Sequence, residues 1–382
     1  MTTQTRSESY RSGASLYMSM ELAEKRWKLA FGVELAANPR LRTIAARDLV
    51  SLQREVKLSR KRYGLSEDCA VVSCYEAGRD GFWIHRYLES EGVRNQVVDP
   101  SSLRVSRRRR RAKTDRLDAE ELLRHLIRSA SGEPRVWSVV RVPTVEQEAG
   151  RWLHRELETL KKERTAHFAR MRSLLALYGP RIKGQKDFLA RALGSEQWDG
   201  RPMPDEIQLR LAREWERQVL VEEQIKALQR QRREMVRERE DLAKVRRLAT
   251  LKGIGDNCSW NLVMECFGWR EFDNRRQLGG FAGLVPTPYN SGESVREQGI
   301  SKAGNRRVRW LMVQIAWGWL RHQPDSALTR WFMERFATGS KRSRRVGIIA
   351  LARKLLIALW RWVEFDELPE GALLKAGAQL QA

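Results

Sequence analysis

Residues 69–76, Cys-Ala-Val-Val-Ser-Cys-Tyr-Glu, form a continuous apolar run closed by Glu76 and the Ala77-Gly78 pair. A strand covered on both faces has this composition, because no position along it needs to face water. A carboxylate at the end of such a run is costly to bury unless something positive compensates it. Glu76 is therefore both the end of a central strand and the first candidate functional residue.

Upstream, Ser15 to Arg47 contains three short extended segments, SLYMSMEL, RWKLAFGVEL and LRTIAAR, separated by charged or Asn-Pro punctuation. This pattern predicts an antiparallel meander. Leu49, Leu52, Val56 and Leu58 then recur at near-helical spacing in a basic stretch that runs to Tyr63 and ends at Gly64, which predicts a surface helix. Downstream come a helix over Gly81–Ser90, a strand VRNQVVD ending at Asp99, and an amphipathic helix LDAEELLRHLI. Three strands, helix, strand, helix, strand, helix is the order of the mixed sheet in the ribonuclease-H-like fold. The fold class expected is α/β here and mainly α beyond.

After Pro143 the chain becomes charge-rich and nearly free of Gly and Pro over 146–178 and 205–247, with apolar residues at three- and four-residue steps. Two long helices with an intervening turn-rich loop predict an antiparallel coiled-coil arm. In LATLKGIGDNCSWNLVMECFG, Gly253-Ile254-Gly255 fits either a helix-hairpin-helix turn that lets backbone N–H groups approach a phosphate or an ordinary helix-to-helix turn. Trp310, Trp317 and Trp319 are expected in a core or an interface rather than as platforms for bases.

Among 382 residues, 72 Lys and Arg against 48 Asp and Glu give a net charge of +24, which calls for a polyanionic partner such as a phosphate backbone. No apolar run approaches the roughly 20 residues that span a bilayer, and the polar N-terminus has no signal-peptide core. A cytoplasmic, nucleoid-associated protein without a membrane partner is expected. The four cysteines form no CxxC pair, so neither structural zinc nor a disulfide framework is expected.

Phosphodiester chemistry needs carboxylates from different segments to meet around a divalent cation. Glu21, Glu76, Asp115 and Asp118 are placed for this. Three-residue spacing puts Asp115 and Asp118 on one helix face, although an N-cap acid followed by a first-turn acid has the same spacing. Arg107, Arg108, Arg109, Arg110, Arg111 and Lys113 precede that pair and would lay a cationic strip beside it.

These residues resemble the DEDD transposases of the insertion-sequence one-ten family, RNA-guided serine recombinases, over about Leu16 to Phe336. Ser19-Met20-Glu21-Leu22-Ala23-Glu24-Lys25 matches the family's first acidic motif with Glu21 in place of Asp; Glu76-Ala77-Gly78 matches the second; Lys113-Thr114-Asp115-Arg116-Leu117-Asp118-Ala119 matches the third and fourth. Gly283-Leu284-Val285-Pro286, Ser291-Gly292 and Ile300-Ser301-Lys302-Ala303-Gly304-Asn305 follow in the family's order.

The resemblance implies a flexible N-terminus (1–14), a RuvC-like domain (15–140), a helical coiled-coil arm (141–247), a C-terminal serine transposase domain (248–345) and a C-terminal helix and tail (346–382). It further implies Mg²⁺ on the four acids, Ser291 as nucleophile, and Lys302, Arg306, Arg307 and Arg309 on phosphate; a solvated helix end accounts equally for those four cations. Donor and target DNA, a structured noncoding bridge RNA and a homo-oligomer, dimer or tetramer, are the partners implied. Two alternatives stand beside this one: a RuvC-like nuclease using water, and a noncatalytic RNA-binding protein.

Overall fold

The computed structural model describes residues 14–36, 38–78, 81–103, 115–134, 136–291 and 294–376. The arginine strip Arg107–Arg111 and Lys113 lie outside them. Contacts divide the chain into two units, Met1–Pro143 and Thr144–Ala382.

In the first unit β1 (Leu16–Leu22), β2 (Arg26–Gly32) and β3 (Arg40–Ala45) make the meander, followed by α1 (Leu49–Arg62), β4 (Val71–Glu76), α2 (Trp83–Ser90), β5 (Val93–Val98) and α3 (Asp115–Ala130). The sheet order is β3-β2-β1-β4-β5, with β1–β2 and β2–β3 antiparallel and β1–β4 and β4–β5 parallel. This is the mixed α/β sheet expected from the element order. β4 is interior, between β1 and β5, and buried along Val71–Tyr75, as the unbroken apolar run requires. Asp48 caps α1 by accepting from Ser51 N at 2.9 Å. The same helix is tied to the sheet by a buried ion pair, Arg40 Nη2 to Glu55 Oε2 at 2.5 Å, with Ser59 Oγ accepting from Arg40 Nη1 at 2.9 Å.

The second unit opens with α4 (Val145–Ala176), started by a capping box in which Thr144 and Gln147 satisfy each other's backbone N–H groups. After α5 (Phe188–Leu193), α6 (Asp205–Glu238) returns along α4. Leu157 and Leu160 pack on Val221 and Ile225, Arg164 pairs with Glu222 at 3.1 Å, and His167 Nδ1 lies 2.7 Å from Glu214. Early residues of α4 thus meet late residues of α6, and the pair is antiparallel. Near the α5 end, Phe168 meets the ring of Phe188 edge-on at 5.3 Å.

The single helix expected over 205–247 is two. Arg239 is extended, a 3-10 turn follows, and α7 (Ala243–Ala249) starts afresh. The break lets Leu242, Val245 and Leu248 turn into the large core; a straight continuation of an otherwise charged helix would carry them past it. Arg246 Nη1 closes the break by donating to the carbonyls of Val236 and Arg239, both at 2.7 Å.

That core is built by α7, α8 (Asp256–Leu262), a π-helical turn at Val263–Phe267, α9 (Arg275–Ala282), α10 (Arg306–His322), α11 (Ala327–Phe336) and α12 (Lys341–Phe365), with a hairpin of β6 (Pro286–Ser291) and β7 (Ser294–Ile300) between α9 and α10. α12 contributes fully buried Leu351, Leu355, Leu356 and Leu359. The tail packs as far as Lys375: Lys252 N donates to Leu373 O at 3.0 Å and Lys375 Nζ to Ile254 O at 2.9 Å. The Gly253-Ile254-Gly255 turn therefore has Ile254 fully buried and its carbonyl occupied. Among the described residues no helix is long and apolar enough to cross a membrane.

Candidate active site

Strand alternation decides which β1 and β4 side chains share a face. Ser19 Oγ donates to Ala119 O of α3 at 2.6 Å, and Cys74 Sγ sits 3.9 Å from Leu122 O. Ser19 and Cys74 thus face α3, and so do the positions two residues on, Glu21 and Glu76. Farther back, Val72 packs with Leu122 and Leu126. Going from Cys74 back to Val72 therefore means going forward along α3, so α3 runs antiparallel to both strands. Its N-terminus, with Asp115 and Asp118, lies at the carboxyl ends of β1 and β4, the end that carries Glu21 and Glu76.

Parallel pairing of Met20 with Tyr75 makes Glu21 and Glu76 the next positions on adjacent strands, about 4.8 Å apart in backbone. A cavity of about 420 Å³ opens there, lined by Glu21, Glu24, Tyr75, Glu76 and Gly78 among others. Asp118 is half-buried. Among the described residues no three His, Cys, Asp or Glu side chains are already gathered tightly enough to ligate one ion, and the side chain of Asp115 lies outside that set. All four cysteines are free; Cys69, Cys74 and Cys266 are buried, and burial pushes the Cys74 thiol up.

In the second unit Ser291 ends β6, paired in register with Ser294 across the hairpin tip. The base of the hairpin is clamped by backbone bonds between its two flanks: Ser301 N to Val285 O at 2.9 Å, Lys302 N to Gly283 O at 3.2 Å and Asn305 N to Phe281 O at 2.7 Å. So close an approach needs glycine. Gly283 (φ +65°) has Ala303 O 1.9 Å from where a Cβ would stand, and Gly304 (φ +83°) has Phe281 O at 2.2 Å. The Gly-Leu-Val-Pro and Lys-Ala-Gly-Asn motifs are thus two halves of one clamp. Arg309 joins it, its Nη1 donating to Ala282 O at 3.0 Å and Ala303 O at 3.3 Å.

Behind the clamp lies a polar cluster whose members are distant in sequence. Asn305 caps α10, accepting from Arg307 N and Val308 N, and its Nδ2 donates to Glu265 Oε2 at 3.3 Å. Glu265 sits in the π-helical turn, 2% exposed. His154 Nε2 lies 2.9 Å from its Oε1, and Arg155 donates through Nε at 3.0 Å and Nη2 at 3.1 Å. Burial by itself raises this carboxyl, but the hydrogen bonds from His154 and Arg155 and the Arg155 charge outweigh it and hold it at about 2. Glu265 therefore joins α4 to the base of the serine hairpin. Only Asn305, a polar residue just before a helix, was legible in sequence as a cap; nothing marks Glu265, whose partners stand 40 and 110 positions away.

Of the cations proposed for phosphate, Lys302 and Arg306 are exposed and Arg307 is paired with Glu158. The acids and the serine belong to different units.

Residues 245–330, which contain the hairpin and its clamp, match the model described as "Transposase IS116/IS110/IS902 family". A protein of Sinorhizobium fredii named "Putative transposase y4rJ" is 40% identical, covering 94% of this chain and 95% of its own. A Coxiella burnetii "Transposase for insertion sequence element IS1111A" is 26% identical over 78% of each chain, and a Yersinia enterocolitica "Transposase for insertion sequence element IS1328" is 25% identical over 76% of this chain and 82% of its own. With 40% identity across nearly its whole length, the chain belongs to the IS116/IS110/IS902 family of transposases.

Proposed function

We propose that this transposase exchanges DNA strands through a covalent phosphoserine on Ser291, guided by a structured noncoding RNA, with a RuvC-like first unit as its metal-binding half. The observation that carries the reading is the convergence of four acidic positions from β1, β4 and α3 on one end of one sheet. A ribonuclease-H-like fold places acids in this way. The antiparallel α4–α6 pair serves as a coiled-coil arm for dimer or tetramer assembly, and the protein works in the cytoplasm on the nucleoid.

Glu21, Glu76, Asp115 and Asp118 would hold Mg²⁺, and an all-carboxylate donor set suits that hard cation. When bound, Mg²⁺ supplies charge neutralisation at the scissile phosphate. The Ser291 hydroxyl loses its proton and its oxygen bonds to phosphorus as one deoxyribose ester oxygen leaves and takes up a proton. A hydroxyl on the incoming strand then attacks the phosphoserine and releases the serine, so the ester energy is conserved and no nucleotide cofactor is consumed. The glycine clamp fixes where the hairpin stands. Exposed Lys302 and Arg306 beside it offer charge to donor DNA, target DNA or RNA.

Incubation of the protein with RNA from the flanks of its element, Mg²⁺ and labelled donor and target DNA tests this directly. A denaturant-resistant protein–DNA band is expected that disappears in both Ser291→Ala and Asp118→Ala. Free cut ends without an adduct, unaffected by Ser291→Ala, would show a hydrolytic nuclease instead. RNA binding with no cleavage in the presence of Mg²⁺ would show a noncatalytic RNA-binding protein.

A further inference from the structure

α10 has two faces. Val308, Leu311, Met312, Ile315, Ala316 and Trp319 are buried in the core of the second unit. On the opposite side Arg306, Trp310, Gln314, Trp317 and Arg321 are all exposed, Trp310 at 59% and Trp317 at 44%. At 100° per residue these five positions fall within an arc of about 80°. The two indoles contribute little to the core that their own helix builds, and they keep large apolar surfaces in water at a cost that folding does not recover.

The charge of this face indicates what covers it. The helix, RRVRWLMVQIAWGWLRH, contains no acid. Arg306 and Arg321 stand at either end of the tryptophan pair. A second copy docking through this face about a twofold axis would set arginine against arginine. A polyanion meets no such opposition, and flat aromatic rings between cations are what unpaired bases stack upon. A duplex keeps its base faces inside the stack and cannot use the indoles.

We propose that the outward face of α10 is a stacking platform for unpaired nucleotides: Trp310 and Trp317 each take one base, and Arg306 and Arg321 hold the backbone. The proposal rests on the reading that this unit handles nucleic acid and adds the strandedness of what it binds. Seven residues separate the indoles by about 10 Å along the axis, roughly three times the ~3.4 Å rise between stacked nucleotides. The platform therefore takes bases about three nucleotides apart in one strand.

The full chain would be titrated against fluorescein-labelled twelve-nucleotide oligothymidine and oligouridine, and against a twelve-base-pair duplex, by fluorescence anisotropy at several salt concentrations. Trp310→Ala and Trp317→Ala should each weaken single-strand binding about tenfold, with duplex binding held within twofold and the salt slope unchanged. Trp310→Phe and Trp317→Phe should retain most of the affinity. Arg306→Ala should instead lower the single-strand salt slope by about 0.7. Thermal melts establish that the variants fold, which exposed positions permit. Equal losses on single strand and duplex, or no loss on either, overturn the platform. So does a shift to a smaller oligomer in sedimentation without loss of affinity, which would make this face a contact between copies. Failure of the wild-type chain to bind any of the three probes would overturn the nucleic-acid reading of the unit itself.

Discussion

Replacing Glu265 by glutamine removes the one negative charge in a buried cluster while keeping its shape. In the native chain the carboxylate accepts from His154, Arg155 and Asn305. Taking one partner from a buried ion pair costs about 3–5 kcal/mol. The lower end applies here, because the Arg155 side chain keeps 27% of its surface in water and can turn outward. A loss of about 3 kcal/mol corresponds to roughly 10 °C in the melting of a unit of this size.

The effect must also depend on pH. The folded carboxyl sits at about 2 against an ordinary 4.5, so its contribution of about 3 kcal/mol is complete above about 4.5 and is lost as pH falls toward 2. Calorimetric melts of wild type and Glu265→Gln at pH 7, 5, 4 and 3 should show a gap that is full at pH 7 and 5 and narrows steadily below. A variant within 1 kcal/mol of wild type at pH 7, or a gap that does not narrow in acid, would refute the account of this cluster.

Gly283→Ala and Gly304→Ala each place a methyl group on a carbonyl of the opposite flank. Each should therefore destabilise the second unit by about 2–4 kcal/mol and abolish adduct formation while the first unit still melts as in wild type; differential scanning calorimetry with the adduct assay checks both. Ser19→Ala removes the buried bond to Ala119 that ties β1 to the acidic end of α3. A stability loss of about 1–2 kcal/mol is expected in denaturant titration, with strand-transfer activity falling further than stability alone explains.

Much of the first unit was readable because its elements announce themselves locally. The apolar run to Glu76 is an interior strand, since a strand covered on both faces can be apolar throughout, and the three segments before it are set apart by charged and Asn-Pro punctuation as a meander is. The acids were legible because their positions at strand and helix ends are local facts. That their backbone positions lie at one end of the sheet was not: it depends on α3 running antiparallel to β1 and β4, which the Ser19–Ala119 and Cys74–Leu122 contacts show. The break after Glu238 is silent in sequence because the chain is charged on both sides of it, and periodicity registers no change when the cause is a core assembled from residues far along the chain.

By itself the sequence determined the strands and helices of the first unit, the two long helices that open the second, the charge and the candidate acids and serine, since these follow from residue type and spacing within a window of a few turns. Tertiary structure alone decided that two glycine motifs close one clamp, that Glu265 holds the cap of α10, and that Trp319 is core while Trp310 and Trp317 face water. Each of those depends on contacts between segments tens of residues apart. Helical periodicity places three tryptophans on an axis but cannot say which side of that axis the rest of the chain will cover.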